Sequence, residues 1–222
     1  MTVAEALDRL EQHYGKLRPV GPTDAYEMIL YTNCGYPAND ITCAKGFEPL
    51  KKQIGLDPEK ILAAPDTKLA AITKAGGMFP ELRATRLKEI ASVVLEKSGG
   101  NLAVVLKKPL PEARKALKQF PTIGDPGAEK ILLFCGVSQG LPLESNGLRV
   151  LTRFGYGRTQ KDYGATYRSA QEALSGELPA NAQSLAQAHL LLREHGKTLC
   201  KTNGPKCVEC PLADSCAYAA KK

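Results

Sequence analysis

At 222 residues, with 43% hydrophobic and 24% charged side chains, the chain can bury one large core or two smaller ones. No charge-free stretch is long enough to span a bilayer, and the opening run MTVAEALDRLEQHYG carries acids where a secretory leader is basic and apolar; a cytoplasmic protein without membrane contact is expected. Thirty Lys and Arg against 23 Asp and Glu give a net charge of +7, which favours a polyanionic partner without naming one.

Val3, Leu7, Leu10 and Tyr14 recur at helical spacing, and Gly15 closes that helix. Asp57-Pro58-Glu59 reads as a helix start, with Asp at the cap and Pro in the first turn. Pro80 opens a long basic amphipathic helix to about Lys97, with Leu87, Ile90, Ala91, Val94 and Leu95 inward and Gly99-Gly100 at its end. A helix over Glu112 to Gln119 closes at Phe120, and another runs from Asp125-Pro126 to about Cys135. From about Asn181 to His195 a further helix stacks Leu185, His189 and Leu192 on one face. No run of alternating β-branched residues appears, so the expected fold class is all-α.

The chain carries seven cysteines. Cys34, Cys43 and Cys135 lie in apolar or helical surroundings and read as small buried thiols. The other four, Cys200, Cys207, Cys210 and Cys216, form C-x6-C-x2-C-x5-C. Four thiolates this close suit a tetrahedral zinc or an iron–sulfur cluster. A zinc site usually pairs two C-x2-C units, and the wider outer spacings here suit a bulkier group. Two disulfides are the alternative, disfavoured by a reducing cytoplasm.

Preceded by His195-Gly196-Lys197, this spacing resembles the [4Fe-4S] loop of the endonuclease III and adenine DNA glycosylase family. The resemblance implies a structural [4Fe-4S] cluster on those four cysteines, with Lys201 and Lys206 set towards DNA phosphates. It also implies a helix–hairpin–helix, and FPTIGDPGAEKILLFCG is similar to one, with Pro121-Thr122-Ile123-Gly124 as the hairpin. A tight turn and the next helix's N-terminus present backbone N–H groups to a phosphate oxygen. Gly124 permits close approach, Ile123 anchors the turn and Lys130 adds charge. The family's hairpin reads L-P-G-x-G, so Thr122 stands where a glycine is expected. The family's strand-cleaving members carry a lysine where this chain has Pro126, which has no amine to form a Schiff base.

Leu143-Glu144-Ser145-Asn146-Gly147-Leu148-Arg149-Val150-Leu151 resembles the family run L-D-G-N-V-x-R-V-L. The resemblance implies that Glu144 is the catalytic carboxylate, stabilising an oxocarbenium-like sugar or activating water, and that Asn146 orients it. From the residues alone, Glu144 reads equally as an N-cap. For the side chains that fill the duplex once a base is flipped, Asn33 is nearest to the family's glutamine, Tyr31 and Tyr36 are stacking candidates, and Gly76-Gly77-Met78-Phe79 is similar to a second wedge.

The resemblance implies a two-domain helical glycosylase fold, with a six-helix domain over 22–135 and a cluster domain from 1–21 plus 136–222. The expected activity is monofunctional DNA N-glycosylase of base-excision repair, a hydrolase of N-glycosidic bonds, acting as a monomer on double-stranded DNA. Two alternatives stand beside it: a DNA-binding member without catalysis, and an abasic-site lyase using Lys130.

Overall fold

The computed structural model describes residues 1–36, 39–138, 140–179 and 181–221. Among these residues the regular structure is helical and no strand forms. In chain order the helices are α1 (Val3–Tyr14), α2 (Ala25–Asn33), α3 (Asp40–Gln53), α4 (Pro58–Ala63), α5 (Asp66–Thr73) and α6 (Pro80–Ser98). They continue as α7 (Ala103–Leu106), α8 (Leu110–Leu117), α9 (Asp125–Phe134), α10 (Ser145–Phe154), α11 (Tyr163–Ala173) and α12 (Ala182–Thr198). No helix among the described residues is long and apolar enough to cross a membrane.

Local chemistry sets many of these boundaries. Thr2 accepts from the Glu5 amide while the Glu5 carboxylate accepts from the Thr2 amide, a capping box that starts α1. Asp57 caps α4, with Pro58 in its first turn. Gly99, at φ 58°, ends α6 in a left-handed turn that costs a residue without Cβ little. Two boundaries differ from the sequence expectation. α8 stops at Leu117, because Phe120 is already in a tight turn, its amide donating to the Leu117 carbonyl at 3.2 Å. α12 continues to Thr198, since its last turns are held by burial of His195 and Gly196.

The chain forms two compact units, Pro19–Ser138 and Met1–Arg18 with Gln139–Lys222. In the first, α6 packs against α2, α4 and α5, and Leu30, Leu50, Ile61, Leu69, Leu87 and Ile90 are fully buried between them. In the second, α12 packs on α10 and α1, enclosing Leu10, Leu148, Leu151, Leu185 and Leu191. The cysteine segment follows α12 as short 3-10 turns, with no apolar core of its own beyond Leu199 and Leu212.

Candidate functional site

In the first unit, α8 and α9 are joined by the hairpin Pro121–Gly124. Ile123 is buried and anchors the turn, its amide donating to the Phe120 carbonyl at 3.2 Å. Thr122 has φ 65°, in the left-handed region where a β-branched residue is strained, and its Oγ1 is buried without a hydrogen-bond partner. Gly124 is extended and exposed, and α9 begins after it without a side-chain cap, leaving the first-turn N–H groups to an outside acceptor. Asp125 sits at this helix start, paired with Lys118 at 2.6 Å, and Arg114 clasps Glu129 at 2.5 Å across the same two helices. Lys130 lies half-buried on α9 and Pro126 occupies its first turn.

Asn33 requires a correction. It is 1% exposed, and its amide nitrogen donates to the Ile29 and Pro121 carbonyls, each at 3.0 Å. It therefore braces the hairpin from beneath, and a plug reaching into DNA needs an exposed side chain. Tyr31 is also buried, with its hydroxyl on the Asp40 carbonyl at 2.7 Å, so stacking falls to Tyr36, half of whose surface is open. Pro37 and Ala38, which follow Tyr36, lie outside the described residues.

The 76–79 loop abuts the end of α2. A Cβ on Gly76 would lie 1.8 Å from the Cys34 carbonyl oxygen, so only glycine fits. Met78 and Phe79 are 75% and 66% exposed, and Phe79 is held at φ 62°. Arg83 is the clamp, and no motif in the sequence marks it. Its side chain is buried on α6 and Nη1 donates to the carbonyls of Gly77, at 2.9 Å, and Met78. Two exposed apolar side chains on a braced, strained loop are suited to insertion between bases.

In the second unit, Glu144 caps α10. Its Oε1 accepts from the Gly147 amide and its Oε2 from Asn146 Nδ2, both at 2.8 Å. Asn146 Oδ1 in turn accepts from Arg149 Nη2 at 2.7 Å. Arg149 also donates to the carbonyls of Gly196 and Cys200, each at 2.8 Å, so a continuous polar chain joins Glu144 to the first cysteine. Gly196 makes this approach possible: a Cβ there would lie 2.6 Å from the Asn146 Cβ.

Cys200, Cys207, Cys210 and Cys216 line one pocket, about 390 Å³ with the open solvent at its mouth counted in, shared with His195, Arg153 and Tyr218. All four are free thiols. Among the described residues no three His, Cys, Asp or Glu side chains converge as on a single metal ion. The shared pocket and the all-thiol donor set fit a group bulkier than one ion. His195 is buried with Nε2 3.4 Å from Cys210 Sγ and Nδ1 3.0 Å from the Tyr14 hydroxyl; burial, with His13 adding to it, pulls its imidazole down to about 4, so it is neutral. Burial pushes the Cys210 thiol up. Arg153 ties the loop to α10 through the Lys201 and Thr202 carbonyls, at 2.7 and 3.1 Å. Lys201 and Lys206 are exposed, and Lys206 pairs with Glu209 at 3.3 Å. Of the three remaining cysteines, Cys34 and Cys43 are buried as expected, while Cys135 is only half-buried.

No protein-family model matches the chain. It is 26% identical to Endonuclease III of Sulfolobus acidocaldarius over 230 residues, covering 96% of this chain and 97% of that one. It is 27% identical to the thymine/uracil-DNA glycosylase of Pyrobaculum aerophilum over 167 residues, 74% of this chain and 68% of the relative. Its fold superposes on a trapped Endonuclease III–DNA covalent intermediate with a TM-score of 0.79, at 17% identity, over 100% of this chain and 98% of that one. Its sequence relatives are Endonuclease III and thymine/uracil-DNA glycosylases, and its fold is the Endonuclease III fold.

The fold brings the candidate residues together in groups. Thr122, Ile123, Gly124 and Lys130 share the hairpin and α9, with Asn33 below them. Met78 and Phe79 form a separate exposed loop. Glu144 and Asn146 share a polar network with Arg149 and the Cys200 carbonyl in the second unit, where the four cysteines line one pocket. The resemblance pointed to Glu144 and Asn146; the fold adds Arg83 and the structural roles of Arg149 and Gly196.

Proposed function

We propose that this protein is a DNA N-glycosylase of base-excision repair that releases a damaged or mismatched base from double-stranded DNA and leaves the strand intact. The observation that carries this reading is the seat of Glu144, a carboxylate at a helix start, turned and held by Asn146. In the reaction the bond from the sugar C1′ to the base nitrogen breaks, the base departs with a proton, and water adds its oxygen to C1′. Glu144 stabilises the positive charge developing on the sugar or takes the proton from that water, as its distance from the ring dictates. Pro126 supports the monofunctional reading, because no amine stands there to attack C1′.

The hairpin, with the N–H groups of α9, is the phosphate anchor, supported by Lys130 and by Lys201 and Lys206 from the cysteine loop. Met78 and Phe79, with Tyr36, fill the space of the extruded nucleotide. Cys200, Cys207, Cys210 and Cys216 would hold a [4Fe-4S] cluster, which when bound supplies a rigid brace for that loop. The protein acts as a monomer in the cytoplasm, at the nucleoid if its source is bacterial.

The test is a panel of duplexes bearing different lesions and mismatches, thymine and uracil opposite guanine among them. Each is scored with and without alkali to separate base release from strand cleavage. The expected result is alkali-dependent cleavage by wild type, none by Glu144→Gln, and undiminished DNA affinity in that variant. A second reading, DNA binding without catalysis, is favoured by the engagement of both Glu144 oxygens in the cap. Wild type and Glu144→Asp that both process no lesion would establish it. A borohydride-trapped adduct lost in Lys130→Ala would establish the abasic-site lyase instead.

A further inference from the structure

The three residues that lead into Glu144 are held from outside their own segment. Leu141, Pro142 and Leu143 belong to no helix and are buried. Buried backbone carbonyls need hydrogen-bond partners, and a helix would supply them from its own amides. Here side chains from two helices supply them. Leu141 O accepts from Gln171 Nε2 at 2.7 Å, Pro142 O from His189 Nδ1 at 2.8 Å, and Leu143 O from the Tyr163 hydroxyl at 2.6 Å. Tyr163 and Gln171 stand two turns apart on α11, and His189 is in the middle of α12. A carbonyl can only accept, so His189 carries its proton on Nδ1. Burial, with Tyr167 and Glu144 nearby, pushes the Tyr163 phenol up, which keeps it a donor.

We propose that Tyr163, Gln171 and His189 are positioning residues that clamp Leu141–Leu143 and so fix where the Glu144 carboxylate sits. The inference rests on the catalytic reading of Glu144 for its effect on rate, and on the geometry alone for its effect on place. The Glu144 carboxylate begins one residue beyond the Leu143 carbonyl that Tyr163 holds. With Tyr163 lost as a donor, that buried carbonyl must move towards water or another donor. The carboxylate follows, and a displacement of about 1 Å can cost ~10²-fold in rate. This external clamp also explains how a glutamate, one methylene longer than the family's aspartate, can be held at one point.

Tyr163→Phe is the test, because it removes only the hydroxyl from a ring that is 43% exposed. Two quantities are read on the full-length protein: amide hydrogen exchange at Gly147, whose N–H is bound to Glu144 Oε1, and the single-turnover rate of base release beside duplex affinity. The expected result is exchange at Gly147 faster by roughly tenfold, with the central turns of α12 unchanged. Base release should slow by about 10- to 100-fold at unchanged affinity. Gln171→Met, which removes a different donor, should act in the same direction. Unchanged exchange at Gly147 in both variants would overturn the proposal, as would exchange that rises equally through α10, α11 and α12. Faster Gly147 exchange together with full activity in Glu144→Gln would uphold the clamp and remove Glu144 from the chemistry.

Discussion

Replacing Thr122 by glycine should make the protein more stable and tighten its grip on DNA. A left-handed conformation costs a residue with a Cβ about 1–2 kcal/mol, and Thr122 sits there at φ 65°. Its buried, unpaired hydroxyl adds a penalty of about 1 kcal/mol or more. Against this, glycine gains unfolded-state freedom worth about 0.5–1 kcal/mol, and the lost methyl forgoes at most about 0.8 kcal/mol. The balance is a net stabilisation of roughly 1 kcal/mol, or about 2–4 °C in Tm for a protein of this size. Thr122→Ala separates the two contributions, since it removes the hydroxyl but keeps the Cβ in the strained region. Urea unfolding and thermal melts of the three proteins, with duplex titrations at one fixed salt concentration, provide the measurement. Glycine should rank above alanine and alanine above threonine in stability. A glycine variant no more stable than wild type would refute the strain argument.

Arg149→Met should lower both iron content and base release, because it severs the link from Asn146 to the Cys200 and Gly196 carbonyls; elemental analysis and single-turnover assays read the two effects. Cys207→Ser should yield colourless protein whose residues beyond Thr198 are cut early by protease while Pro19–Ser138 resists, since metal binding and local folding are linked. Arg83→Met keeps much of the buried stem but removes the donor to both loop carbonyls, so affinity for lesion duplexes should fall by about 3- to 10-fold, in the range of one or two lost hydrogen bonds. Duplex affinity of the wild type should fall steeply between 50 and 200 mM salt, roughly 10³-fold or more if six phosphates are contacted.

Features that depend on neighbours along the chain were legible in the sequence. The Gly15 stop, the Asp57-Pro58 start and the Gly99 stop each need only a few adjacent residues. The hairpin and the Glu144 run were legible for the same reason, being short motifs whose geometry is set locally. α3, α5 and α11 drew no notice; their places are decided by tertiary packing rather than by a local motif. Direction was the other failure. Asn33 has a suitable residue type for a plug, but its helix face turns it under Pro121, and periodicity does not report that. Arg83 reads as one more solvated base on a basic helix and is in fact buried beneath a loop. The clamp on Leu141–Leu143 joins residues 20 to 47 positions apart, a separation at which no local pattern survives.

The way the second unit is threaded has a consequence for synthesis. α1 buries Val3, Leu7 and Leu10 in that unit, and Arg9 and Tyr14 reach Asp214 and His195, which lie 205 and 181 positions further along the chain. At ~5–20 residues per second, α1 waits on the order of ten to forty seconds for its partners, while Pro19–Ser138 can complete its own core. Throughout that interval an amphipathic helix stands unburied on the growing chain. Its capping box and the polar side chains on its outer face keep it helical and soluble until α12 arrives. A circular permutation that opens the chain near Lys16 and joins Lys222 to Met1 would make α1 follow α12 and the cysteine segment instead of preceding them. It should shorten the lifetime of aggregation-prone intermediates without altering the finished fold.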